Sequence, residues 1–339
     1  MIALPPQPDG VEWPTSPWPV GPSIPALDAI VAEGFEDPAL VETLAIVVVQ
    51  GGRIVAERYD GTLPRFDGPP ITVGPDTPLL SWSMAKSMLH AVVGMLVAEE
   101  RLALDAPAPV PGWTDDRSRI TLRHLLQMRD GLAFVEDYVD GHSDVIEMLW
   151  GRGAADVAAF AADRPLAAPP GERFNYSSGT SNVISGIVAR TVGPGAAYRS
   201  FLQTRLLDPI GMTSAEPGFD PAGTWVASST VHATARDFAK FGLLYLRDGI
   251  WDGARLLPEG WVDHARTPVS EDEEGLLYGS HWWVTEDGRG TFSANGYEGQ
   301  RITVCPALDS VVVRLGKTPA EHSPDLRAWM ARLLDAIPS

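Results

Sequence analysis

The stretch Ser81-Trp82-Ser83-Met84-Ala85-Lys86-Ser87 places a hydroxyl and an amine three residues apart at the start of an apolar segment. From 84 to 98 the chain reads MAKSMLHAVVGMLVA, with apolar residues on every side, which predicts a buried helix. Positions i and i+3 share a helix face, so Lys86 can reach the Ser83 hydroxyl. Burial and the positive end of the helix dipole both favour the neutral amine, which can accept the serine proton. This pairing predicts a serine nucleophile with a lysine as its base.

The pairing is rare by chance in this composition. The chain has 21 serines but only three lysines, at 86, 240 and 317, in 339 residues. A serine three positions before a lysine is therefore expected about 0.2 times at random, so the tetrapeptide is moderately specific. The apolar surroundings of the tetrapeptide raise its specificity, because a buried lysine needs a partner.

Tyr176-Ser177-Ser178 offers a third group for proton transfer. It lies in the loop PPGERFNYSSGTSN (169–182), which leads into the apolar run 183–189, and a tyrosine at such a junction can point into a cleft. A phenol with its usual pKa of about 10 is a poor base. A neighbouring ammonium such as that of Lys86 would stabilise the phenolate and lower this pKa. We therefore expect Tyr176 to work together with Lys86.

The order of these motifs along the chain, SMAK (83–86) and then YSS (176–178), resembles that of the serine β-lactamase-related family. The resemblance is greatest to its class C-like β-lactamase, esterase and 6-aminohexanoate-dimer hydrolase branch. The resemblance covers roughly residues 40 to 335. It is carried by SWSMAKS (81–87), ITLRHLLQM (120–128), PPGERFNYSSGTSN (169–182), ATARDFAKFGLLYLRDG (233–249), LLPEGWV (256–262) and GYEGQ (296–300). It implies that Ser83 attacks a carbonyl carbon and forms an acyl-enzyme, while Lys86 and Tyr176 exchange its proton. It also implies an oxyanion hole built from the N–H groups of Ser83 and Tyr297.

The third family motif, a cation followed by Thr or Ser and then Gly, is altered in this chain. Lys317-Thr318-Pro319 follows a predicted strand and has proline in place of glycine, so Ala294-Asn295-Gly296 is the better match. Gly296 would let substrate approach the backbone closely. By resemblance, the missing cation at 294 would otherwise help to hold a β-lactam carboxylate, so we expect simple esters or amides as substrates.

The resemblance also suggests substrate contacts. These fall on Tyr138, Ser178, Asn295 and Gly296, with Tyr138 near the leaving group; the alternative for Tyr138 is an ordinary surface residue. Tryptophans at 225, 251, 282 and 283 could line an acyl pocket, but core packing is the commoner explanation for each of them. His232 is interpreted as a packing or capping residue rather than a catalyst.

The predicted fold class is α/β (α+β), β-lactamase/transpeptidase-like: an antiparallel sheet built from both chain ends with flanking helices, plus a mainly helical second region. Strand patterns at 43–50 and 53–59 flank Gly51-Gly52, a strong hairpin signal, and further strands are expected at 278–285, 290–294, 301–305 and 310–315. We divide the chain into a Pro-rich, extended arm (1–38), a sheet region (39–82 and 266–339) and a mainly helical region (83–265). The active site is expected at the seam, where ligand sites are common.

The composition limits which binding partners, metals and cofactors we expect for this protein. A net charge of −18 disfavours nucleic acids and anionic membranes. The lone Cys305 rules out an intrachain disulfide and is expected to be a buried small residue. The seven histidines form no H-x-x-x-H pair, so we expect neither metal nor cofactor. The N-terminus lacks the basic and apolar regions of a signal peptide, which makes a cytoplasmic location the default.

Two classes of function agree with these patterns. The first is a serine hydrolase that cleaves small esters or amides through an acyl-enzyme, with a small molecule as its only expected partner. The second is a catalytically weak, β-lactamase-like binder or sensor, and a penicillin-binding-type peptidase is a further alternative. The intact set Ser83, Lys86 and Tyr176 favours the hydrolase, because a pure binder has no need of all three. The acyl group, the leaving group and the oligomeric state are left open.

Overall fold

A computed structural model describes residues 1–15, 17–65 and 68–338. Ser16, Phe66, Asp67 and Ser339 belong to the predicted arm and sheet region and lie outside the described residues.

The described residues contain ten α-helices and fifteen strands. The helices are α1 Pro25–Glu36, α2 Met84–Ala98, α3 Leu122–Leu126, α4 Asp144–Leu149, α5 Val157–Ala162, α6 Ser178–Val192, α7 Ala196–Leu202, α8 Ala235–Leu246, α9 Trp261–Arg266 and α10 Ser323–Asp335. The strands are β1 Glu42–Gln50, β2 Arg53–Tyr59, β3 Thr62–Leu63, β4 Ile71–Thr72, β5 Leu79–Leu80, β6 Glu216–Pro217, β7 Val231–Ala233, β8 Ile250–Trp251, β9 Ala254–Arg255, β10 Ser270–Glu271, β11 Leu277–Tyr278, β12 Trp283–Val284, β13 Phe292–Gly296, β14 Gln300–Cys305 and β15 Ser310–Lys317.

The two ends of the chain build one eight-stranded antiparallel sheet in the order β10-β11-β12-β13-β14-β15-β1-β2. The predicted hairpin is confirmed: Gln50 pairs with Arg53, and Gly51 and Gly52 have φ of 55° and 73°. Positive φ at both turn residues suits the right-handed twist of the strands, and glycine adopts it without strain. The sequence patterns therefore predicted this hairpin and a sheet built from both chain ends, whereas the strand order comes from the structure.

The strand predicted over 278–285 is wrong as a single element. The chain forms β11 and β12 instead, and between them His281 takes a φ of 56°. The His281 ring is buried and bonded at both nitrogens, at 2.8 Å to the Leu126 carbonyl and 3.1 Å to the Ser181 hydroxyl. This tertiary anchor offsets the cost of the left-handed backbone and breaks the strand.

The N-terminal segment differs from an extended arm at 25–36, where α1 forms. Pro25 occupies the first turn, where its fixed φ and missing N–H suit a helix start. Leu27 and Val31, one helical turn apart, are buried against the sheet. The prolines on either side of this short apolar stripe had favoured the prediction of an extended segment over a helix. Residues before 25 run across the body, where Trp13 packs on Trp251 with ring centroids 5.1 Å apart.

Strand alternation separates two apolar layers. On β1, Ala45, Val47 and Val49 face a large core with α2, α6 and α8, whereas Ile46 and Val48 face a smaller core with α1 and α10. Cys305 is free and buried in the smaller core, as expected. The sheet thus carries α2, which begins after Ser83, on one face and α10 on the other.

In the described part of the chain, none of the helices combines the length and apolarity needed to cross a bilayer. The division into sheet and helical domains stays a prediction.

A chain of buried histidines links α2 to α9. His90 lies 2.8 Å from the Tyr245 hydroxyl through Nδ1 and 3.3 Å from His264 Nδ1 through Nε2, and its ring stacks on Trp261. Burial lowers the pKa of His264 to about 4 and that of His281 to about 3, and the pKa of His90 is also well below its usual value. These rings are therefore neutral in the folded protein.

We expect stability to fall as the pH drops from about 7 to 5. A histidine with a depressed pKa contributes stability that is complete above its unfolded pKa of about 6.5 and is lost as the pH falls toward the folded pKa. Each such histidine removes up to about 1.4 kcal/mol per pH unit from the free energy of unfolding. Urea unfolding at pH 7, 6 and 5 measures this slope. His281→Gln should reduce the slope and the exposed His142→Gln should not; equal slopes in all three proteins would contradict the assignment.

Candidate active site

Ser83 lies at the N-terminus of α2, immediately after a strained turn. Trp82 has a φ of 45°, a rare conformation for a residue with a large side chain. The buried Ser81 holds this turn, because its N–H donates to the Val231 carbonyl and its hydroxyl both accepts from the Val231 N–H and donates to the Trp82 carbonyl. The turn thereby presents the Ser83 side chain at the head of the helix, where the dipole is positive.

Lys86 is almost fully buried, and three oxygen atoms surround its amine. Nζ lies 2.8 Å from Ser83 Oγ, 3.0 Å from Ser178 Oγ and 2.9 Å from the Ser228 carbonyl oxygen. Burial lowers the pKa of Lys86 to about 8, against a smaller opposing effect from the Glu136 carboxylate. A large part of the lysine is therefore neutral in weakly alkaline solution.

The hydrogen-bond network fixes which way the lysine lone pair points. Ser178 Oγ donates to Glu136 Oε1 at 2.6 Å, so it accepts from Lys86, and the Ser228 carbonyl can only accept. A neutral lysine has two N–H groups, and these two acceptors use both. Its lone pair is then left for the Ser83 hydroxyl, which is the arrangement a general base requires.

Glu136 is a site residue that the sequence did not reveal. Its carboxylate accepts from both the hydroxyl and the N–H of Ser178, and from the Tyr138 hydroxyl at 3.3 Å. The resemblance points to Tyr138 in this segment, and nothing in one sequence separates Glu136 from the acidic residues beside it. Ser178, expected to contact substrate, is fully buried between Glu136 and Lys86. It belongs to the proton network instead.

Tyr176 is next to the pair, but its pKa shifts opposite to our expectation. Burial raises the pKa of Tyr176, and an interaction with the Ser83 hydroxyl only partly offsets this. The Lys86 amine lies over the ring, 4.9 Å from its centroid. The expected phenolate is therefore wrong: Tyr176 keeps its proton and can donate it, while Lys86 is the group able to accept one.

The N–H groups of Ser83 and Tyr297 are available for an oxyanion. Among the described residues, neither donates a hydrogen bond to an acceptor within the protein. Side chains on β14 and β15 hold the turn that carries Tyr297: Gln300 Nε2 donates to the Tyr297 carbonyl at 3.1 Å, and the buried Arg314 donates to the carbonyls of Glu298 and Gly299. Glu298 has a φ of 57°, so these bonds stabilise a conformation that the backbone disfavours.

The third motif is only partly placed as expected. A Cβ on Gly296 would lie 2.5 Å from the Ser81 carbonyl oxygen, so the glycine allows β13 to approach the turn before Ser83 rather than a substrate. Ala294 is buried in the core shared with α2. Asn295 alternates to the opposite face, where it accepts a hydrogen bond from Arg301 at 3.2 Å. The sequence had suggested that Asn295 contacts the substrate. Its side chain lies on the other face of the sheet and is therefore not a contact on the Ser83 side.

Aromatic rings line one side of Ser83. Tyr138 stacks on Tyr297 with centroids 4.8 Å apart, and Trp82 contacts both rings edge-on. Trp150 packs on Trp82 and is 59% exposed, which places the cluster at the surface. Tyr138 is thus brought to the site, and it is joined by Trp82 and Trp150, which sequence reasoning missed. Trp82 could have been identified from the sequence, because it directly precedes Ser83.

Of the four tryptophans considered for an acyl pocket, only Trp283 contacts a residue of the candidate site. Trp225, Trp251 and Trp282 are buried in the core, and Trp283 packs on Tyr176 with centroids 5.4 Å apart. His232 is exposed on β7, so it neither packs in the core nor caps α8; the neighbouring Thr234 does the capping.

Comparisons with known proteins bear on the family and the fold of this chain. The beta-lactamase family model matches residues 30–337. The chain is 29% identical to the 6-aminohexanoate-dimer hydrolase of Paenarthrobacter ureafaciens over 329 residues, covering 87% of this chain and 79% of the relative. Two solved structures share the fold: a penicillin binding protein from Bacillus halodurans (TM-score 0.71, 19% identity, 91% of this chain and 99% of the other) and EstCE1, a hydrolase with promiscuous acyltransferase activity (TM-score 0.70, 16% identity, 92% and 97%). The fold is therefore β-lactamase/transpeptidase-like, and the chain belongs to the beta-lactamase family of serine hydrolases.

Proposed function

We propose that this protein cleaves small, uncharged esters or amides through an acyl-enzyme on Ser83. The observation that carries the proposal is the buried amine of Lys86, 2.8 Å from Ser83 Oγ, with its pKa lowered to about 8 and its two N–H groups directed at other acceptors. Ser83 loses its proton to Lys86 as its oxygen attacks the carbonyl carbon. The tetrahedral oxyanion forms beside the N–H groups of Ser83 and Tyr297.

The proton then passes to the leaving group. Tyr176 keeps its own proton and lies over Lys86, so it can donate to the leaving oxygen or nitrogen while Lys86 restores the phenol. The same groups act in reverse when water attacks the acyl-enzyme. The products are an acid and an alcohol or amine, and Ser83 is returned unchanged.

The surroundings of Ser83 favour an apolar substrate. The cluster of Trp82, Tyr138, Trp150 and Tyr297 offers ring faces and edges to an acyl chain or a leaving group. The relative from Paenarthrobacter ureafaciens is named for an amide formed from a short ω-amino acid, so short amides belong in the substrate screen.

We expect p-nitrophenyl acetate or butyrate to be hydrolysed much faster than nitrocefin. Ala294 stands where a cation would hold the β-lactam carboxylate, and the nearby cations are engaged elsewhere: Arg301 points to the opposite face of the sheet, and Lys317 pairs with Glu42 at 3.0 Å. A charged hydrogen bond is worth roughly 1.5 to 3 kcal/mol, so its loss lowers kcat/KM for nitrocefin by about one to two powers of ten.

Steady-state kinetics on both classes test this expectation, with a short ω-amino amide as a third substrate. Ser83→Ala, assayed alongside, separates catalysis at the site from background hydrolysis. Nitrocefin turnover equal to that of the esters would contradict the proposed substrate class. No turnover of any substrate, with stoichiometric acylation, would favour the binder instead.

A further inference from the structure

A cavity lies between β12–β14 and α10, on the face of the sheet that carries α10. Its volume is about 330 Å³, within the range of small-molecule sites. Ser293, Asn295 and Thr303 line its floor and alternate with residues that face the α2 core, such as Ala294 and Ile302. The floor of the cavity therefore faces away from the α2 core, and at its edge Trp283 also packs on Tyr176.

Among the described residues, Arg301 has no acidic partner. Its guanidinium donates to the Asn295 side-chain oxygen at 3.2 Å, and its buried Nε has no hydrogen-bond partner. Burial lowers the pKa of Arg301 to about 10, and repulsion from the Arg327 guanidinium adds to this. Three arginines line the cavity: Arg289 is paired with Asp335, whereas the half-buried Arg301 has no carboxylate partner among the described residues. Its partly desolvated positive charge would be satisfied by an anion.

The acidic side chains of the cavity are already engaged. Asp335 pairs with Arg289, and Asp287 accepts from the Thr291 hydroxyl at 2.6 Å and from the Arg289 N–H at 2.9 Å. Asp335 follows Arg327 by eight residues on α10, or about 12 Å along the helix axis. Arg327 itself has only a distant, exposed contact with Glu274, at 3.7 Å. Positive charge is thus concentrated at the end of the cavity near Arg301.

Apolar side chains complete the remaining wall. They are Leu276, Trp283, Val284, Met330 and Leu334. Because Arg327, Met330 and Leu334 recur at helical spacing, they form one stripe that leads away from the positive end. An elongated ligand can lie along this stripe with its charged group at Arg301.

We propose that this cavity binds a small monocarboxylate with an unbranched apolar tail, its carboxylate paired with Arg301 and Arg327 and its tail against α10. Bidentate pairing with a planar guanidinium suits a carboxylate, and the apolar stripe excludes small inorganic anions as the preferred ligand. The site does not depend on the hydrolytic activity proposed above.

Isothermal titration with octanoate tests the site directly. Wild type and Ser83→Ala should bind octanoate with the same affinity, while octyltrimethylammonium, which carries the opposite charge on the same tail, should not bind. Arg301→Gln should weaken octanoate binding by about 10- to 100-fold, the value of one charged hydrogen-bonded pair. Ala331→Trp should block the cavity from the exposed side of α10, whereas Ala328→Trp, on the same helix but not lining the cavity, should leave binding unchanged.

Circular dichroism confirms that each variant is folded, and Ala331→Trp provides the test if Arg301→Gln is not. The proposal is overturned if wild type fails to bind octanoate, or if Ser83→Ala or phosphonylation of Ser83 abolishes binding, because the ligand then occupies the catalytic side. Normal binding by both Arg301→Gln and Ala331→Trp would overturn it as well. Loss of hydrolysis in Ser83→Ala with unchanged octanoate binding separates this site from the proposed function.

Discussion

Ser83→Ala is expected to lower kcat on a p-nitrophenyl ester by about 10⁴-fold or more, because removing a nucleophile removes the covalent route entirely. The hydroxyl is the group that Lys86 approaches to 2.8 Å at the head of α2. An alanine there keeps the helix start, since Ser83 makes no side-chain capping bond. Folding should therefore survive while turnover is lost.

The measurement combines kinetics with covalent labelling. An organophosphonate should add its mass to the peptide that contains Ser83 in the wild type, and to no peptide in Ser83→Ala. Ser118→Ala is the matched control, because Ser118 is exposed and contacts none of the site residues. It should be labelled and active like the wild type. Labelling that persists in Ser83→Ala would assign the nucleophile to another residue.

Local patterns predicted the parts of the fold that depend on local rules. The apolar run after Ser83 gave α2 with its observed ends, and the glycine pair at 51 and 52 gave the hairpin. Helix α1 was missed because Pro25 was interpreted as part of an extended arm, although proline is favoured in a first helical turn. The break at His281 depends on contacts with Leu126 and Ser181, distant segments that no local pattern reveals.

The candidate site was predictable only for residues with a motif of their own. Ser83, Lys86 and Tyr176 are brought together, but Glu136 joins them through Ser178, from a loop with no distinguishing pattern. The direction of the tyrosine shift also depended on tertiary structure. Burial of the phenol raises its pKa, and the interaction with the Ser83 hydroxyl offsets this only in part.

Strand parity explains the error at Asn295. Adjacent residues on a strand point to opposite faces, so Ala294 and Asn295 cannot both face the α2 side. The assignment of the third motif to this strand stays a prediction, and a single sequence did not say which of its residues faces α2. The pairing of Ala294 with Ile302 and of Asn295 with Arg301 decides it.

Lys86 and Tyr176 are expected to act as one proton-transfer unit. Lys86→Ala and Tyr176→Phe should each lower kcat by about 10²-fold or more, and the double variant should be little worse than the poorer single variant. The reason is that Lys86 must restore the proton that Tyr176 donates, so either loss stops the same transfer. Effects that multiply in the double variant would show two independent roles.

The pH dependence of kcat/KM shows whether Lys86 acts as a neutral base or as an ammonium. The neutral amine is the base, so the rate should rise with pH and level off above the Lys86 pKa of about 8. Glu136 raises this pKa through its charge, so Glu136→Gln should move the inflection to lower pH while its remaining oxygen still accepts from the Ser178 hydroxyl. A purely structural Glu136 would change the size of the rate and leave the inflection in place. A rate that falls with rising pH across this range would instead require an ammonium at Lys86, and with it a different base for Ser83.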